Sequence, residues 1–203
     1  MDGSRPDDFS GGEPAPVTIR VARTMDDFHK VTVVRTKVYM VEQECPYQEE
    51  FDGNDLSGAT HMIAEQAGEP VACLRIRWFA NFAKIERICV LRSHRKTKLG
   101  VELLYAAVEM IRRKGYTKLI GQIQEHLAEH WTRFANLRVR THRPRFVFSE
   151  RVYIEVEGLY DPHPQAVTDE SEPLVIDRPE GEWDRPGPLD RSVARGAETA
   201  GAA

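Results

Sequence analysis

The sequence predicts a mixed α/β domain built on one central sheet, and three observations support this fold class. Several short segments alternate apolar and polar residues, as half-buried strands do. Between two of these segments, residues 99–114 carry a single apolar stripe at helical spacing. A helix that crosses from one strand to the next implies parallel pairing, whereas a tight turn at residues 67–70 implies an antiparallel hairpin. Both kinds of pairing together predict a mixed sheet flanked by helices.

The first strand and the first helix are predicted in the segment that precedes Pro46. Residues 17–22 alternate like a strand. Thr24 is a suitable N-cap, because its hydroxyl oxygen can accept a hydrogen bond from a free N–H group of the first turn, and two aspartates follow in that turn. The helix is expected to end before Pro46, and a loop is expected at residues 48–57.

Three antiparallel strands are predicted next, at residues 60–66, 71–79 and 84–91. The sequence AGEP joins the first two and contains the glycine and proline of a tight turn. The helix at residues 99–114 follows the third strand, and Gly115 is its natural C-cap.

The last third of the domain is predicted to contain a strand, a weaker helix and two short strands. They lie at residues 119–123, 125–137, 145–148 and 152–156. The strand at 119–123 completes a strand–helix–strand unit with the helix before it. The predicted order is therefore β, α, three β, α, β, α, β, β.

The composition along the chain predicts one domain with an extension at each end. Residues 1–15 are rich in Gly, Pro, Asp and Ser and are expected to be a flexible lead-in, followed by the domain at residues 16–163. Residues 164–203 form a tail rich in Pro, Gly and acidic residues. Apolar residues at 174–176 and Trp183 interrupt this polarity, so the tail is either largely disordered or docked through them.

The overall composition of the 203 residues predicts a cytoplasmic protein that contacts neither nucleic acid nor membrane. The formal net charge is −4, and no apolar run approaches the ~20 residues of a membrane span. The three cysteines (Cys45, Cys73 and Cys89) have no CxxC spacing, which favours free buried thiols over disulfides or a metal site.

A basic turn at residues 92–98 connects a strand to the N-terminus of the helix at 99–114. Backbone N–H groups and positive charge at a helix N-terminus attract anions, which favours a phosphorylated cofactor. The turn resembles motif A of the GNAT acyltransferases, [R/Q]-x-x-G-x-[G/A], through Arg95, Lys96, Thr97, Lys98, Leu99 and Gly100. In that family the amides of the motif hold the pyrophosphate of acetyl-CoA. Lys98 stands where the pattern has its first glycine.

A longer resemblance, to the ElaA-like branch of the same family, lies in residues 35–55. It matches the pattern R-x-x-V-F-x-x-E-Q-x-x-P-x-x-E-E-F-D-x-x-D, with Tyr39 at the aromatic position, and residues 157–163 loosely resemble the C-terminal E-x-G-I-x-H of that branch. The resemblance covers residues 17–163 and implies a mixed sheet splayed at its centre, with acetyl-CoA in the opening. It also implies that the backbone of Ile88, Cys89 and Val90 pairs with the pantetheine arm.

The resemblance implies transfer of an acetyl or other acyl group to an amine, by direct attack in a ternary complex and without a metal. Glu86 is a candidate general base, because some family members use a glutamate on this strand, and burial on the same face as Ile88 and Val90 would raise its pKa. The alternative is a structural salt bridge of Glu86 with Arg75, Arg77 or Arg87. His126 is the other candidate. Trp131 occupies the place of the family's usual tyrosine acid, and an indole N–H is no practical acid.

Two charged segments suggest binding surfaces. Glu49, Glu50 and Asp52, with Asp55 nearby, form an acidic cluster suited to a cationic amine, or else a solvated loop. Six basic residues between Arg133 and Arg145 would suit an acidic partner such as an acyl-carrier protein, or are simply solvated.

Several alternatives follow from these features. The autoinducer synthases share the fold and take long acyl chains from a carrier protein. A domain without the motif glycine and the tyrosine could also bind acyl-CoA without turnover. The expected acceptor is a small-molecule or protein amine, and a homodimer stays an open alternative.

Overall fold

The computed structural model describes residues 15–192 as an eight-stranded sheet with helices on its faces. The strands are β1 Val17–Val21, β2 Thr60–Gln66, β3 Glu69–Trp78, β4 Ala83–Val90, β5 Lys118–Gln124, β6 Leu137–Val139, β7 Phe146–Phe148 and β8 Arg151–Leu159. Their order in the sheet is β1-β2-β3-β4-β5-β8-β6, with β7 also paired to β8. Within these described residues only β4 and β5 pair in parallel, so the predicted mixed sheet is confirmed.

The helices are α1 Met25–Arg35, α2 Tyr47–Glu50, α3 Leu99–Arg113, α4 Ala128–Trp131 and α5 Pro173–Ile176. The predicted cap of α1 is confirmed, because the Asp27 N–H group donates to Thr24 Oγ1 and the Thr24 N–H group donates to the Asp27 carboxylate, each at 3.1 Å. After Arg35 the helix continues as a π-helix, Thr36–Glu42, which the sequence did not predict. A π-helical turn changes the direction of the side chains that follow, and such turns are frequent at functional sites.

The two faces of the sheet carry separate cores. On one face, α3 packs its buried stripe of Leu103, Leu104, Ala107 and Ile111 against β2, β3 and β4. On the other face, α1 packs Val31 and Val34 against a smaller core. Cys73 and Cys89 belong to this second core as free thiols.

The sheet splays at its centre, between β4 and β5. The two strands pair only where Ala83, Lys84 and Ile85 meet Leu119, Ile120 and Gly121. Beyond Ile85 the two strands separate, because a register shift between β3 and β4 places Arg87 in a bulge with a φ of 53°. The separation leaves one edge of β4 free next to the basic turn.

The predicted helix at residues 125–137 is wrong. The structure has a 3-10 turn at Glu125–Leu127, the single-turn helix α4, and then strand β6. The helix ends at Trp131, and the positive φ of Ala135 and Asn136 prevents a helix from continuing to residue 137. Leu137 pairs with Gly158 of β8, so this residue lies in a strand and not at the end of a helix.

The described part of the C-terminal tail docks on the domain. Trp183 is 7% exposed and belongs to the main core, and its partly buried neighbours Val167 and Val175 pack against the same core. Gly181 has a φ of +83°, and a Cβ there would lie 3.0 Å from Val21 Cγ2. The docked alternative therefore holds for residues 164–192, while the domain boundary itself stays a prediction. The predicted flexible lead-in, residues 1–15, lies outside the described residues except for Ala15. Residues 193–203 also lie outside them.

Candidate active site

A cavity of about 410 Å³ fills the opening between β4 and β5. Its half on the α3 face is apolar and includes Ile85, Ile88, Leu104, Leu119, Trp131, Leu137 and Val156. Its half on the α1–α2 face is polar and aromatic and includes Tyr39, Gln43, Glu49, Asp52, Gln124, Phe146, Phe148 and Tyr153. The separation of the strands therefore joins two chemically different chambers.

The free edge of β4 directs backbone groups into this opening. The Tyr39 hydroxyl donates to the Ile88 carbonyl and Arg95 Nε donates to the Val90 carbonyl, each at 2.9 Å. The Leu91 N–H group instead donates to Val71 of β3, as the alternation of backbone groups along a strand requires. The Ile88 and Val90 groups thus point away from β3, as the resemblance implies for a strand that pairs with an extended ligand.

The basic turn lies at the end of this edge and leads directly into α3. Lys96 adopts the left-handed conformation with a φ of 66°, whereas Lys98 has a φ of −81°. Lys98, which stands at the position of the first motif glycine, therefore has an ordinary φ, and a lysine fits there without backbone strain. A Cβ added at Gly100 would lie 3.6 Å from Val90 Cγ2 and 3.7 Å from the Trp131 ring, so any larger side chain would enter the opening.

The basic side chains of the turn differ in their availability. Arg95 forms a salt bridge with Glu42 of the π-helix at 2.6 Å. Arg92, Lys96 and Lys98 are exposed, and within residues 15–192 no carboxylate lies within 4 Å of their charged groups. These three cations and the α3 N-terminus form a surface suited to phosphate groups.

Glu86 is not on the predicted face. The bulge at Arg87 places Ile88 against the core beneath α3, while Glu86 contacts Arg75 on the α1 side of the sheet. Glu86 Oε2 lies 2.5 Å from Arg75 Nη2, and Glu86 Oε1 lies 2.6 Å from Lys84 Nζ. The β-bulge reverses the alternation on which the prediction depended.

The pKa of Glu86 is also shifted against the prediction. Burial by itself would raise the pKa of this carboxyl, but the hydrogen bonds and charges of Lys84 and Arg75 outweigh burial and lower it. A carboxylate with a lowered pKa and two cationic partners is a poor proton acceptor, which favours a structural role for Glu86 although it lines the cavity. Its role as general base stays a prediction.

Glu86 belongs to a larger set of paired charges, which we call the ion network. It consists of five cations and four carboxylates: Arg35, Arg75, Arg77, Lys84, Arg87, Glu50, Asp52, Asp55 and Glu86. Arg75 is fully buried and contacts three of the carboxylates, at 2.5–2.8 Å. The network joins α1, α2 and β3 to β4 beneath the polar chamber.

The predicted acidic cluster is divided by this network. Glu50 is fully buried between Arg35 and Arg87 and does not line the cavity. Asp52 lines the cavity but is paired with Arg75 and Arg87. Glu49 lines the cavity, and no cationic group of the described residues lies within 4 Å of its carboxylate. Glu49 is thus the available member of the cluster.

Ser149, which no sequence pattern singles out, holds Glu49 in place. Its hydroxyl donates to Glu49 Oε2 at 2.5 Å and also lies 3.0 Å from Cys45 Sγ. Ser149 and Glu150 form the two-residue turn between β7 and β8, with φ values of 44° and 60°. The turn thereby connects the hairpin to α2 across the polar chamber.

The other predicted site residues lie less centrally. His126 is exposed in the 3-10 turn after β5 and does not line the cavity. Trp131 lines the apolar chamber beside Gly100. Tyr39 and Tyr153 are the tyrosines among the cavity-lining residues, and burial raises the pKa of Tyr39 well above its usual value.

The basic segment between Arg133 and Arg145 is largely paired on the surface. Arg138 and Arg140 contact Glu157, Arg140 and Arg143 contact Glu155, and Arg145 contacts Glu125. Its charge is therefore mostly compensated within the domain, which argues against a dedicated surface for an acidic carrier.

Two features are absent from the part of the chain between residues 15 and 192. No group of three or more His, Cys, Asp or Glu side chains there is arranged to hold a metal ion. No helix of this part has the length and apolar character needed to cross a membrane. The expectations of metal-free chemistry and of a cytoplasmic location stay predictions.

Comparison with known proteins identifies relatives in sequence and in fold. A Bacillus subtilis (strain 168) protein provisionally classed as an acetyltransferase is 34% identical over 112 residues, which cover 53% of this chain and 76% of that protein. The crystal structure of an acyl-CoA N-acyltransferase from Pseudomonas aeruginosa is similar with a TM-score of 0.63 at 26% identity, covering 70% of this chain and 98% of that one. Escherichia coli ElaA is similar in fold, with a TM-score of 0.63 at 22% identity over 70% of this chain and 99% of that one.

The family assignment rests on more than half of the chain. Residues 26–135 match the acetyltransferase (GNAT) family, and this range contains the π-helix, both strands of the opening and the basic turn. The predicted resemblance and the predicted fold are confirmed. The chain therefore belongs to the GNAT family and is an N-acetyltransferase.

Proposed function

We propose that the protein transfers an acetyl group from acetyl-CoA to a primary amine by direct attack in a ternary complex. The observation that carries this proposal is the opening between β4 and β5, whose cavity contains one available carboxylate, Glu49, and whose β4 edge ends directly before the basic turn. Acetyl-CoA would supply an activated thioester. Arg92, Lys96, Lys98 and the amides at the start of α3 would hold its phosphates, and the free edge of β4 would pair with its arm.

The backbone of β4 and the Glu49 carboxylate would position the reacting groups. The Ile88 N–H group, on the free edge of the strand, would donate to the carbonyl oxygen and stabilise the negative charge that develops on it. Glu49 would bind the ammonium group of the acceptor and receive its proton before attack. The amine nitrogen then bonds to the carbonyl carbon and the carbon–sulfur bond breaks. The nitrogen loses its second proton as the amide forms. Because Trp131 replaces the usual acid, we infer that this proton reaches the leaving thiolate through water.

Replacing Gly100 with glutamate is expected to abolish acetyl-CoA binding. The new side chain would enter the opening beside Val90 and place a negative charge at the anion site. Calorimetric titration of the wild type should give micromolar affinity, and Gly100→Glu should weaken it at least about 100-fold, or roughly 2.7 kcal/mol.

A matched variant tests whether the effect depends on the position of the added negative charge. Gln165→Glu adds the same charge at an exposed position beyond the far end of α3 and should bind acetyl-CoA like the wild type. Titration with long-chain acyl-CoA tests the alternative donor. If the wild type binds no coenzyme A thioester, the proposal is overturned. If it binds one but acetylates no amine in a broad screen, the proposed transfer to a primary amine is wrong.

Replacing Ser149 with alanine is expected to raise KM for the amine about 3- to 10-fold, because Glu49 loses the hydrogen bond that orients it. The kcat at saturating amine should change less than about twofold, since the carboxylate itself remains. Steady-state kinetics with a fixed saturating concentration of acetyl-CoA measure both parameters. A fall in kcat with an unchanged KM would contradict the positioning role of Ser149.

A further inference from the structure

We propose that the acceptor is an amine with one positive charge on a flat, apolar arm, such as an arylalkylamine. The proposal rests on the proposed acetyl transfer, and it specifies what the polar chamber selects. Two independent features of that chamber carry it: its aromatic wall and its charge balance.

The aromatic wall consists of Phe146, Phe148 and Tyr153 on the β7–β8 hairpin. The Phe146 and Tyr153 rings stack with centroids 5.8 Å apart, and the Phe148 ring meets Tyr153 edge-on at 5.7 Å. All three line the cavity and are only partly buried, and none belongs to either hydrophobic core. Aromatic rings that do not stabilise a core are available to bury the apolar surface of a ligand.

The wall and Glu49 line the same chamber. Ser149, at the tip of the hairpin, donates to Glu49 Oε2, so the carboxylate and the aromatic rings are held by one turn. An ammonium group bound at Glu49 would therefore leave the remainder of the molecule against the rings. This arrangement matches an amine whose charge is at one end and whose other end is apolar.

The charge balance limits the acceptor to one ammonium group. The ion network contains five cations and four carboxylates, so its formal charge is +1, and Glu49 brings the total to zero. The Arg87 guanidinium lies 5.5 Å from the Phe148 ring centroid and 6.0 Å from that of Tyr39. A second ammonium group on the ligand would be repelled by the Arg87 guanidinium. A neutral arm in the same place would contact only the aromatic rings. The chamber should therefore disfavour polyamines, although the acidic cluster of residues 49–55 contains four carboxylates.

The test compares four amines at saturating acetyl-CoA: 2-phenylethylamine, hexylamine, ethanolamine and putrescine. Release of free coenzyme A measures the rate, and mass spectrometry identifies the acetylated amine. We expect kcat/KM for 2-phenylethylamine to exceed that for putrescine and for ethanolamine at least about 10-fold, with hexylamine between them. Phenylalaninamide and glycinamide extend the test to a peptide N-terminus, where the aromatic amide should be preferred. Equal rates or a preference for putrescine would overturn the proposal.

Two pairs of variants locate the selectivity. Phe148→Ala should reduce the ratio of kcat/KM for 2-phenylethylamine to kcat/KM for ethanolamine about 5-fold or more. Phe82→Ala removes a ring that is stacked on Phe79 outside the cavity, and it should leave this ratio unchanged. Glu49→Gln should raise KM for every amine about 10-fold or more, whereas Glu44→Gln removes the same charge from an exposed neighbour and should not. Normal acetyl-CoA binding by all four variants confirms that they are folded.

A binding measurement keeps this inference separate from catalysis. Calorimetry measures the affinity for the amine when free coenzyme A replaces acetyl-CoA, so no acetyl transfer is required. Tighter binding of 2-phenylethylamine than of putrescine, lost in Phe148→Ala, would support the acceptor class even if no turnover is seen. The reverse order, or affinities that Phe148→Ala does not change, would exclude it while leaving acetyl transfer to another amine intact.

Discussion

Replacing Arg75 with methionine is expected to lower the free energy of unfolding by about 3–5 kcal/mol, the range for breaking a buried ion pair by removing one partner. The Arg75 guanidinium is fully buried and contacts Asp52, Asp55 and Glu86. Methionine fills much of the same volume but leaves these carboxylates with fewer cationic partners in a poorly solvated place. The loss should lower Tm by about 6–20 °C for a chain of this length.

Thermal and urea unfolding measure this loss, and an exposed ion pair provides the control. Arg133 pairs with Glu129 four residues earlier, and both side chains are well exposed. Arg133→Met should therefore change the free energy of unfolding by less than about 0.5 kcal/mol. A loss below about 1 kcal/mol in Arg75→Met would show that the ion network contributes little to stability.

The loss in Arg75→Met should also depend on pH. Burial by itself would raise the pKa values of Asp52, Asp55 and Glu86, but the hydrogen bonds and charges of Arg75, Arg35 and Lys84 outweigh it and lower all three. A carboxyl with a lowered pKa in the folded state contributes stability above its unfolded pKa of about 4 and loses it as the pH falls through the folded value. The difference between wild type and variant should thus be full at about pH 7 and shrink below about pH 4.

Replacing Trp183 with alanine is expected to lower the free energy of unfolding by about 3–5 kcal/mol, the usual loss for a buried Trp. The indole is 7% exposed in the main core, and the Arg113 guanidinium lies 5.8 Å from its ring centroid. The tail around it is also anchored by polar contacts, since Glu180 accepts from Lys114 at 2.6 Å and Glu182 pairs with Arg23 at 3.0 Å. Removing the ring should leave a cavity that these contacts cannot close.

Leu189→Ala is the matched control, because Leu189 lies in the same tail and is 52% exposed. It should change stability by less than about 0.5 kcal/mol. Unfolding of both variants by urea, followed by tryptophan fluorescence and circular dichroism, measures the difference. Equal stability of Trp183→Ala and the wild type would mean that the tail is dispensable and that the domain ends near residue 163.

Most of the fold could be predicted from the sequence, because the relevant signals are local. The alternation in β2, β3 and β4, the apolar stripe of α3 and the cap at Thr24 each depend on residues close together in the chain. The basic turn was visible for the same reason, since its residues are consecutive. The pattern in residues 35–55 indicated the family. In the structure, Arg35 of this pattern contacts Glu50, and Tyr39 contacts Ile88.

Which charged residues are available for chemistry could be learned only from the folded chain. A bulge at one residue, Arg87, turned Glu86 to the other face, because a single change in register reverses the side chains on one side of it. Glu50 is paired with arginines from α1 and β4, which are distant from it in sequence, whereas Glu49 was left facing the cavity. Ser149 reaches Glu49 from a hairpin one hundred residues later in the chain. The availability of a charge depends on burial and on partners brought from elsewhere in the chain, and these are long-range properties that local sequence patterns do not encode.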